Sequence, residues 1–244
     1  MEDTKLKYFG KGFNFSEDGP GNRLVYHLYG CNFHCPWCSN PECFAHDTKP
    51  SSQTTEDTVS EILRSRPMFF SGGGVTFTGG EPTLQIDAVK AVLTQIKAHG
   101  IHTAIETNAS NPRLPEMFLL VDHLMMDLKH TDDAVHRRIT SKTNKTVLRN
   151  ITLTASCRQL ALRIPLIEGY NADDRSVDGF IHFLSGLPQN DSLTVELLSY
   201  HEYGKTKWKQ HGMEYTVENG FITKEKYAAI SARFREAGIN IIKT

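Results

Sequence analysis

Segments of strand length and segments of helical spacing alternate from end to end of this 244-residue chain, and the alternation limits the folds open to it. Strands are expected at Arg23–Tyr29, Val75–Thr78, Ile101–Glu106, His123–Leu128, Leu160–Ile167, Ser192–Leu198 and Ile239–Ile242. A helix is expected from Thr54 and Thr55 until just before Pro67. Others are expected over Thr83–His99, Leu114–Val121, Asp132–Ile139, Thr146–Ser156, Asp174–Leu184 and Lys224–Ala237. Such a pattern is solved by parallel strands with right-handed helical crossovers. About six or seven units fit the length, short of the eight of a closed barrel. The expected fold is therefore α/β, a partial, open (β/α)6 barrel of TIM type, with a flat doubly wound sheet as the alternative. No linker, repeat or low-complexity block appears, so a single domain over 1–244 is expected, with an N-terminal extension of about 1–22 and a core of about 23–244.

Leu28 to Cys43 reads LYGCNFHCPWCSNPEC and carries four of the five cysteines. Cys31, Cys35 and Cys38 are spaced C-x3-C-x2-C, which lets three thiolates converge from one loop on one soft inorganic centre. Three thiolates on a four-iron cubane leave one iron open to bind a substrate and pass it an electron. Two other readings stay open. Cys43 could close the site as a fourth ligand, to zinc or to an electron-carrier cluster, although no second C-x2-C knuckle follows and only His34 and His46 lie near. Disulfides are disfavoured by the odd cysteine count and the lack of a secretory signal. Cys157 stands alone and is expected to be a small buried hydrophobe.

Composition excludes whole classes of function. Hydrophobic residues make up 39% of the chain, and no apolar run approaches the ~20 residues that span a bilayer. The N-terminus MEDTKLKYFGKGF has no apolar h-region. A formal net charge of -1 gives no electrostatic case for nucleic acid. A soluble, cytoplasmic protein is expected, with neither membrane nor nucleic acid as partner.

In both candidate folds the active site lies where parallel strands end at their C-terminal edges. The unusual residues fall there in succession. The cysteines follow the first strand, and Gly79-Gly80-Glu81 the second. Glu106-Thr107-Asn108 ends the third and Asp127-Leu128-Lys129 the fourth. Arg163 lies in the fifth, and His201 just beyond the sixth. Singly, each has an ordinary structural explanation as a turn, a cap or a surface pair; the recurrence points to a site.

Taken in order, CNFHCPWC, VTFTGGEPTLQ, ETN, MMDLKH, LRIPLIEGYN and LSYHEYGKTKW resemble the radical S-adenosylmethionine (SAM) superfamily. DGPG, DLK and the HE-G-K-KW segment resemble its activases of glycyl-radical enzymes, of the pyruvate formate-lyase type. The resemblance runs from about Phe15 to the C-terminus. It implies one [4Fe-4S] cluster on Cys31, Cys35 and Cys38, whose open iron chelates SAM and cleaves it reductively to a 5′-deoxyadenosyl radical. That radical would take hydrogen from a glycine of a partner glycyl-radical enzyme, with flavodoxin or ferredoxin as electron donor.

By the same resemblance, Gly80 brings bare backbone to the methionyl amino group. Asp127 accepts from that group, Lys129 pairs with the carboxylate, and Leu128 lies between them. Trp37, Cys38 and Ser39 contact the adenine, His201 the adenosine, and Arg163 adds positive charge nearby. Glu106, Thr107, Met125 and Asp127 match positions that hold a monovalent cation beside SAM, and Asp18 of the DGPG turn matches one that holds the partner's glycine loop. Two residues depart from the pattern: Glu106 stands where the pyruvate formate-lyase type has Asp, and Ser39 where it has His. No cysteine lies between Cys43 and Gly79, so the ferredoxin-like insert of larger activases is missing. His201–Gly212, with two aromatics and three lysines, reads as a loop able to dock a partner. The alternatives are a radical SAM enzyme acting on a small molecule and a non-catalytic metal-binding or electron-carrier protein whose centre is closed by four cysteines.

Overall fold

The computed structural model describes residues 5–15, 17–157, 159–188 and 192–242. The rest of the expected N-terminal extension and core lies outside the described residues. The chain forms two compact units. One comprises Met1–Asn32, Asn40–Thr107 and Asn111–Met125; the other comprises Phe33–Ser39, Asn108–Ser110 and Met126–Thr244.

In the first unit, β1 (Lys5–Phe15) runs antiparallel to β2 (Asn22–Leu28) on one side and to β3 (Ser51–Thr54) on the other. β4 (Gly74–Gly79) lies parallel to β2, and β5 (His102–Thr107) parallel to β4. α1 (Thr55–Arg64) starts where the Thr54 side chain accepts from the Asp57 N–H, a standard N-cap. α2 (Ile86–Ala98) buries Ile86, Val89, Val92, Leu93 and Ile96 at helical spacing. Tyr26 and Phe77 stack in the core, and both are fully buried. The division between the units falls in β6 (His123–Asp127).

The second unit continues with α3 (Asp133–Thr140), α4 (Lys145–Cys157), β7 (Leu160–Leu166) and α5 (Asp174–Ser185). It ends with β8 (Leu193–Ser199), α6 (Lys205–Gln210), α7 (Lys224–Glu236) and β9 (Ile241–Ile242). β7 pairs in parallel with β8, and β8 in parallel with β9.

Several expectations need correction. Half of the N-terminal extension of about 1–22 forms the eleven-residue strand β1, which was not expected. Of its residues only Leu6 is buried, so main-chain pairing on both sides holds the strand rather than an apolar face. The helix expected from Thr83 begins as a tight turn over Pro82–Gln85 and becomes α-helical only at Ile86, which leaves Leu84 exposed. Leu114–Val121 yields only a short turn, Leu114–Met117. Pro115 falls in the first turn, where its missing N–H costs nothing, and the turn closes where the Phe118 N–H donates to the Pro115 carbonyl at 3.2 Å. β3 was not expected, and α6 lies inside the expected loop His201–Gly212. Cys157 is exposed rather than buried. α4 turns Val147, Asn150, Ile151, Thr154 and Ala155 inward, and position 157 falls off that stripe.

Two arginines are buried inside the units and solve the problem of a buried charge differently. Arg23 on β2 is fully buried. It donates to Thr76 Oγ1 at 2.6 Å, to the Val75 carbonyl at 2.6 Å and to the Pro20 carbonyl at 2.8 Å; its remaining contacts are His102 Nδ1 and the His102 carbonyl. Burial lowers its pKa to about 10, against the opposing fields of Asp18 and Asp122. Arg163 on β7 faces Glu196, its register partner on β8, at 2.9 Å, with both side chains nearly dry.

Removing either arrangement strands polar groups in the interior. Arg23→Met is expected to destabilise by about 3 kcal/mol, because several buried acceptors lose their donor at once. Glu196→Gln is expected to cost about 3–5 kcal/mol, whereas the pair change Arg163→Met with Glu196→Leu should recover most of it. Urea unfolding of the apo-protein, followed by circular dichroism, measures both; a double variant no more stable than Glu196→Gln would contradict the second expectation.

Candidate active site

The first unit carries its candidate residues at the ends of β2, β4 and β5. Gly30, at φ +99°, turns the chain out of β2 toward Cys31, and its N–H donates to the Cys43 carbonyl at 2.9 Å. Cys43 is itself buried, so its place in this turn gives it a packing role. Gly79 has φ +105°, a region that favours glycine, and a Cβ there would lie 2.5 Å from the β2 backbone at His27. A Cβ on Gly80 would run into the Gly30 carbonyl. The Gly-Gly pair is thus required by the close approach of two strand ends, whatever else it does.

Glu81 is fully buried. Its Oε1 accepts from the Thr83 N–H at 2.9 Å, from Thr83 Oγ1 at 2.5 Å and from Thr107 Oγ1 at 2.7 Å. It therefore caps the turn that leads into α2 and ties that turn to the end of β5. Glu106 Oε2 accepts from Thr78 Oγ1 at 2.8 Å. Met125 is fully buried, and a methionine has only its backbone carbonyl to offer a hard cation. Of the residues matched to a cation site, Glu106 and Thr107 thus already have protein partners for their side chains. Asp18 lies before β2 and Cys31 after it, separated by a strand of roughly 20 Å. Asn14 Nδ2 donates to the Asp18 carboxylate at 2.5 Å, and Thr76 Oγ1 to its carbonyl at 2.7 Å, which is a turn residue's bonding.

The second unit holds Phe33–Ser39. The Cys38 N–H donates to the Cys35 carbonyl at 3.1 Å, closing a tight turn, and the His34 N–H donates to the Thr140 carbonyl at 3.1 Å at the end of α3. Phe33 and Trp37 are buried pegs. Phe33 sits edge-on to His136 at 5.3 Å, and Trp37 edge-on to Tyr170 at 5.2 Å. Cys35 is buried and Cys38 partly exposed. None of the five cysteines is in a disulfide.

Asp127 and Lys129, at the end of β6, face each other at 3.2 Å and are largely shielded from solvent. Burial opposes the Lys129 charge, but Asp127 and then the Cys35 and Cys38 thiols outweigh it and raise its pKa above the ordinary lysine value. Leu128 between them is fully buried and donates its N–H to the Arg163 carbonyl at 2.9 Å. The Arg163 charge, expected to act toward a ligand, meets Glu196. His201 stacks on the exposed Tyr203 at 4.2 Å, its pKa lowered by burial, and Nδ1 accepts from the Tyr203 N–H at 3.4 Å.

Sequence reasoning missed Glu196, although a lone acid inside the apolar run LTVELLS was the available signal. The segment His201–Gly212, which could equally dock a partner or be a solvated loop, holds α6, and its Trp208 Nε1 donates to the Cys38 carbonyl at 2.9 Å.

Comparison with known proteins places this geometry in a family. The family profile for the radical SAM superfamily matches residues 25–180. The chain is 32% identical, over 83% of its own length and 84% of the relative's, to the pyruvate formate-lyase-activating enzyme of Staphylococcus epidermidis. It superposes on the crystal structure of a domain of the pyruvate-formate lyase-activating enzyme from Bacteroides vulgatus with a TM-score of 0.58 and 30% identity, covering 71% of this chain and 99% of that one. QueE from Escherichia coli shares the fold, at a TM-score of 0.59 and 13% identity, over 98% of this chain and 94% of that one. The alternating strands and helices are those of the expected open (β/α)6 core, and the chain belongs to the radical SAM superfamily of enzymes.

Proposed function

We propose that this enzyme activates a glycyl-radical enzyme of the pyruvate formate-lyase type, working as one radical SAM domain in the cytoplasm. Flavodoxin or ferredoxin is the electron donor in this reading. The reading rests on its likeness to the activating enzymes over most of the chain. One observation in the second unit carries it: the Lys129 ammonium is held 3.2 Å from the Asp127 carboxylate in a shielded place, within the fields of Cys35 and Cys38.

The donor set fits the family's [4Fe-4S] cluster. Cys31, Cys35 and Cys38 supply soft sulfur ligands from one short loop, and thiolate is the ligating form. When bound, the cluster supplies the electron that cleaves SAM and so generates the radical that removes hydrogen from the partner's glycine.

The chain's own residues bind and orient. An amino-acid head group offers an ammonium to Asp127 and a carboxylate to Lys129, replacing one internal ion pair by two complementary ones. By the family resemblance, Gly80 of the first unit matches the residue whose bare backbone meets the methionyl amino group. Trp37, Cys38 and Ser39 flank the adenine, with Trp37 held by Tyr170, and His201 meets the adenosine. Arg163, its charge met by Glu196, supports the site through its backbone carbonyl, which accepts from the Leu128 N–H at 2.9 Å. Among the described residues no helix is long and apolar enough to cross a membrane.

Anaerobically reconstituted protein, incubated with SAM, a low-potential reductant and a glycyl-radical enzyme, is expected to give a stable organic radical signal on that partner by electron paramagnetic resonance. Cys35→Ala should abolish both the cluster absorbance and the radical, while Cys43→Ala should keep both. Cleavage of SAM without any partner radical would favour a small-molecule substrate. Loss of the cluster with Cys43→Ala would favour the closed metal site.

A further inference from the structure

The C-terminal part of the second unit reaches back to one of the sulfur-bearing residues through a single side chain. Trp208 lies 170 residues beyond Cys38 in sequence and donates its indole N–H to the Cys38 carbonyl at 2.9 Å. On the other side of Cys38, its own N–H donates to the Cys35 carbonyl at 3.1 Å. Peptide units are planar, so fixing the N–H and the carbonyl of one residue sets the rotations on both sides of its Cα. Only the side-chain rotation then remains to aim the sulfur.

The helix that carries Trp208 is fitted to this loop. Gly204, just before α6, has no room for a side chain: a Cβ there would lie 2.8 Å from Ser39 Cα and closer still to the Cys38 carbonyl oxygen. Trp208 is held in turn. Its N–H donates to the Gly204 carbonyl at 3.0 Å, its carbonyl receives the Met213 N–H at 2.9 Å, and its ring meets Tyr215 edge-on at 5.8 Å. The Tyr215 hydroxyl shares a 2.8 Å hydrogen bond with Tyr200, which is buried. Gly220 lies flat against the Tyr200 ring, where a Cβ would come within 2.8 Å. The segment from 200 to 220 is therefore braced at several points, and the Trp208 N–H is a polar contact between it and the cysteine loop.

We propose that Trp208 is a positioning residue for Cys38, its N–H fixing the Cys38 carbonyl so that the thiolate is held in the direction the iron–sulfur cluster requires. The inference rests on the reading of Cys31, Cys35 and Cys38 as cluster ligands. The alternative is that Trp208 only fills space, and that its ring rather than its N–H matters. The two differ by one hydrogen.

Incorporating β-(3-benzothienyl)alanine at position 208 replaces the indole N–H by sulfur and keeps the ring. The reconstituted wild-type and substituted proteins are challenged with a ferrous-iron chelator under argon, and loss of the cluster absorbance is timed. Release about fivefold faster is expected, the equivalent of one ordinary hydrogen bond, whether or not the melting temperature of the folded apo-protein also falls. Release at the wild-type rate overturns the proposal, as does a lowered apo melting temperature with no change in release. If the substituted chain does not fold, Trp208→Phe decides: it keeps an aromatic ring at position 208 and removes the indole N–H. Faster release then supports the proposal and wild-type release overturns it. Wild-type protein that takes up no iron overturns the cluster reading itself, before any variant is compared.

Discussion

The carbonyl oxygen of Gly30 occupies the space that a side chain at position 80 would need. Much of the first unit's site follows from that one approach. The Glu81 N–H donates to the same carbonyl at 2.8 Å, and the Gly80 N–H to the Leu28 carbonyl at 2.9 Å. The ends of β2 and β4 are thereby joined beyond their regular ladder, and these backbone donors are satisfied where the strands stop. With Gly80 fixed, Glu81 can turn its carboxylate onto Thr83 and Thr107. The Gly30 N–H, for its part, is closed by the Cys43 carbonyl. A single carbonyl thus sets where Cys31 leaves the sheet and where the turn into α2 begins.

Buried charge is handled in three ways, and the differences separate structural residues from those able to meet a ligand. Arg23 spreads its donors over carbonyls, a hydroxyl and a histidine, leaving little capacity for anything else. Arg163 and Glu196 neutralise each other across neighbouring strands. Asp127 and Lys129 are less enclosed, their contact at 3.2 Å is longer than that of Arg163 with Glu196, and Lys129 also feels two thiols. A pair of that kind has charge to redistribute when a complementary group arrives, whereas the first two arrangements lose energy on any rearrangement.

The strand-helix alternation and the cysteine spacing were legible because they depend on local periodicity. β2, β4, α1, α3, α5 and α7 fall within a residue or two of their expected limits for that reason. β1 was not legible, because its stability comes from partners distant in sequence and its exposed faces carry no apolar alternation. The start of α2 was misplaced because the Glu81 cap binds Thr83 and holds the first turn tighter than an α-helix. At the candidate site, residue types were readable and partners were not. Nothing local says that Arg163 will face Glu196 or that Trp208 will find Cys38, since both contacts are products of register and tertiary packing. Gly80 shows the converse, a residue singled out for function whose identity strand geometry already demands.

The Asp127–Lys129 pair also bears on what the proposed SAM site would reject. A ligand with only an ammonium would draw Asp127 away and leave a shielded Lys129 without its principal counter-charge; one with only a carboxylate would do the reverse to Asp127. Each incomplete ligand must bear the cost of an uncompensated charge in a poorly solvated place. A zwitterionic amino-acid head satisfies both partners at once, and because the two side chains are already gathered there, little further ordering is needed. Discrimination of this kind comes from penalising the wrong ligand rather than from tightening on the right one. It would let the site recognise the methionyl end of SAM by its paired charges while leaving affinity to the contacts proposed for Trp37, Ser39 and His201.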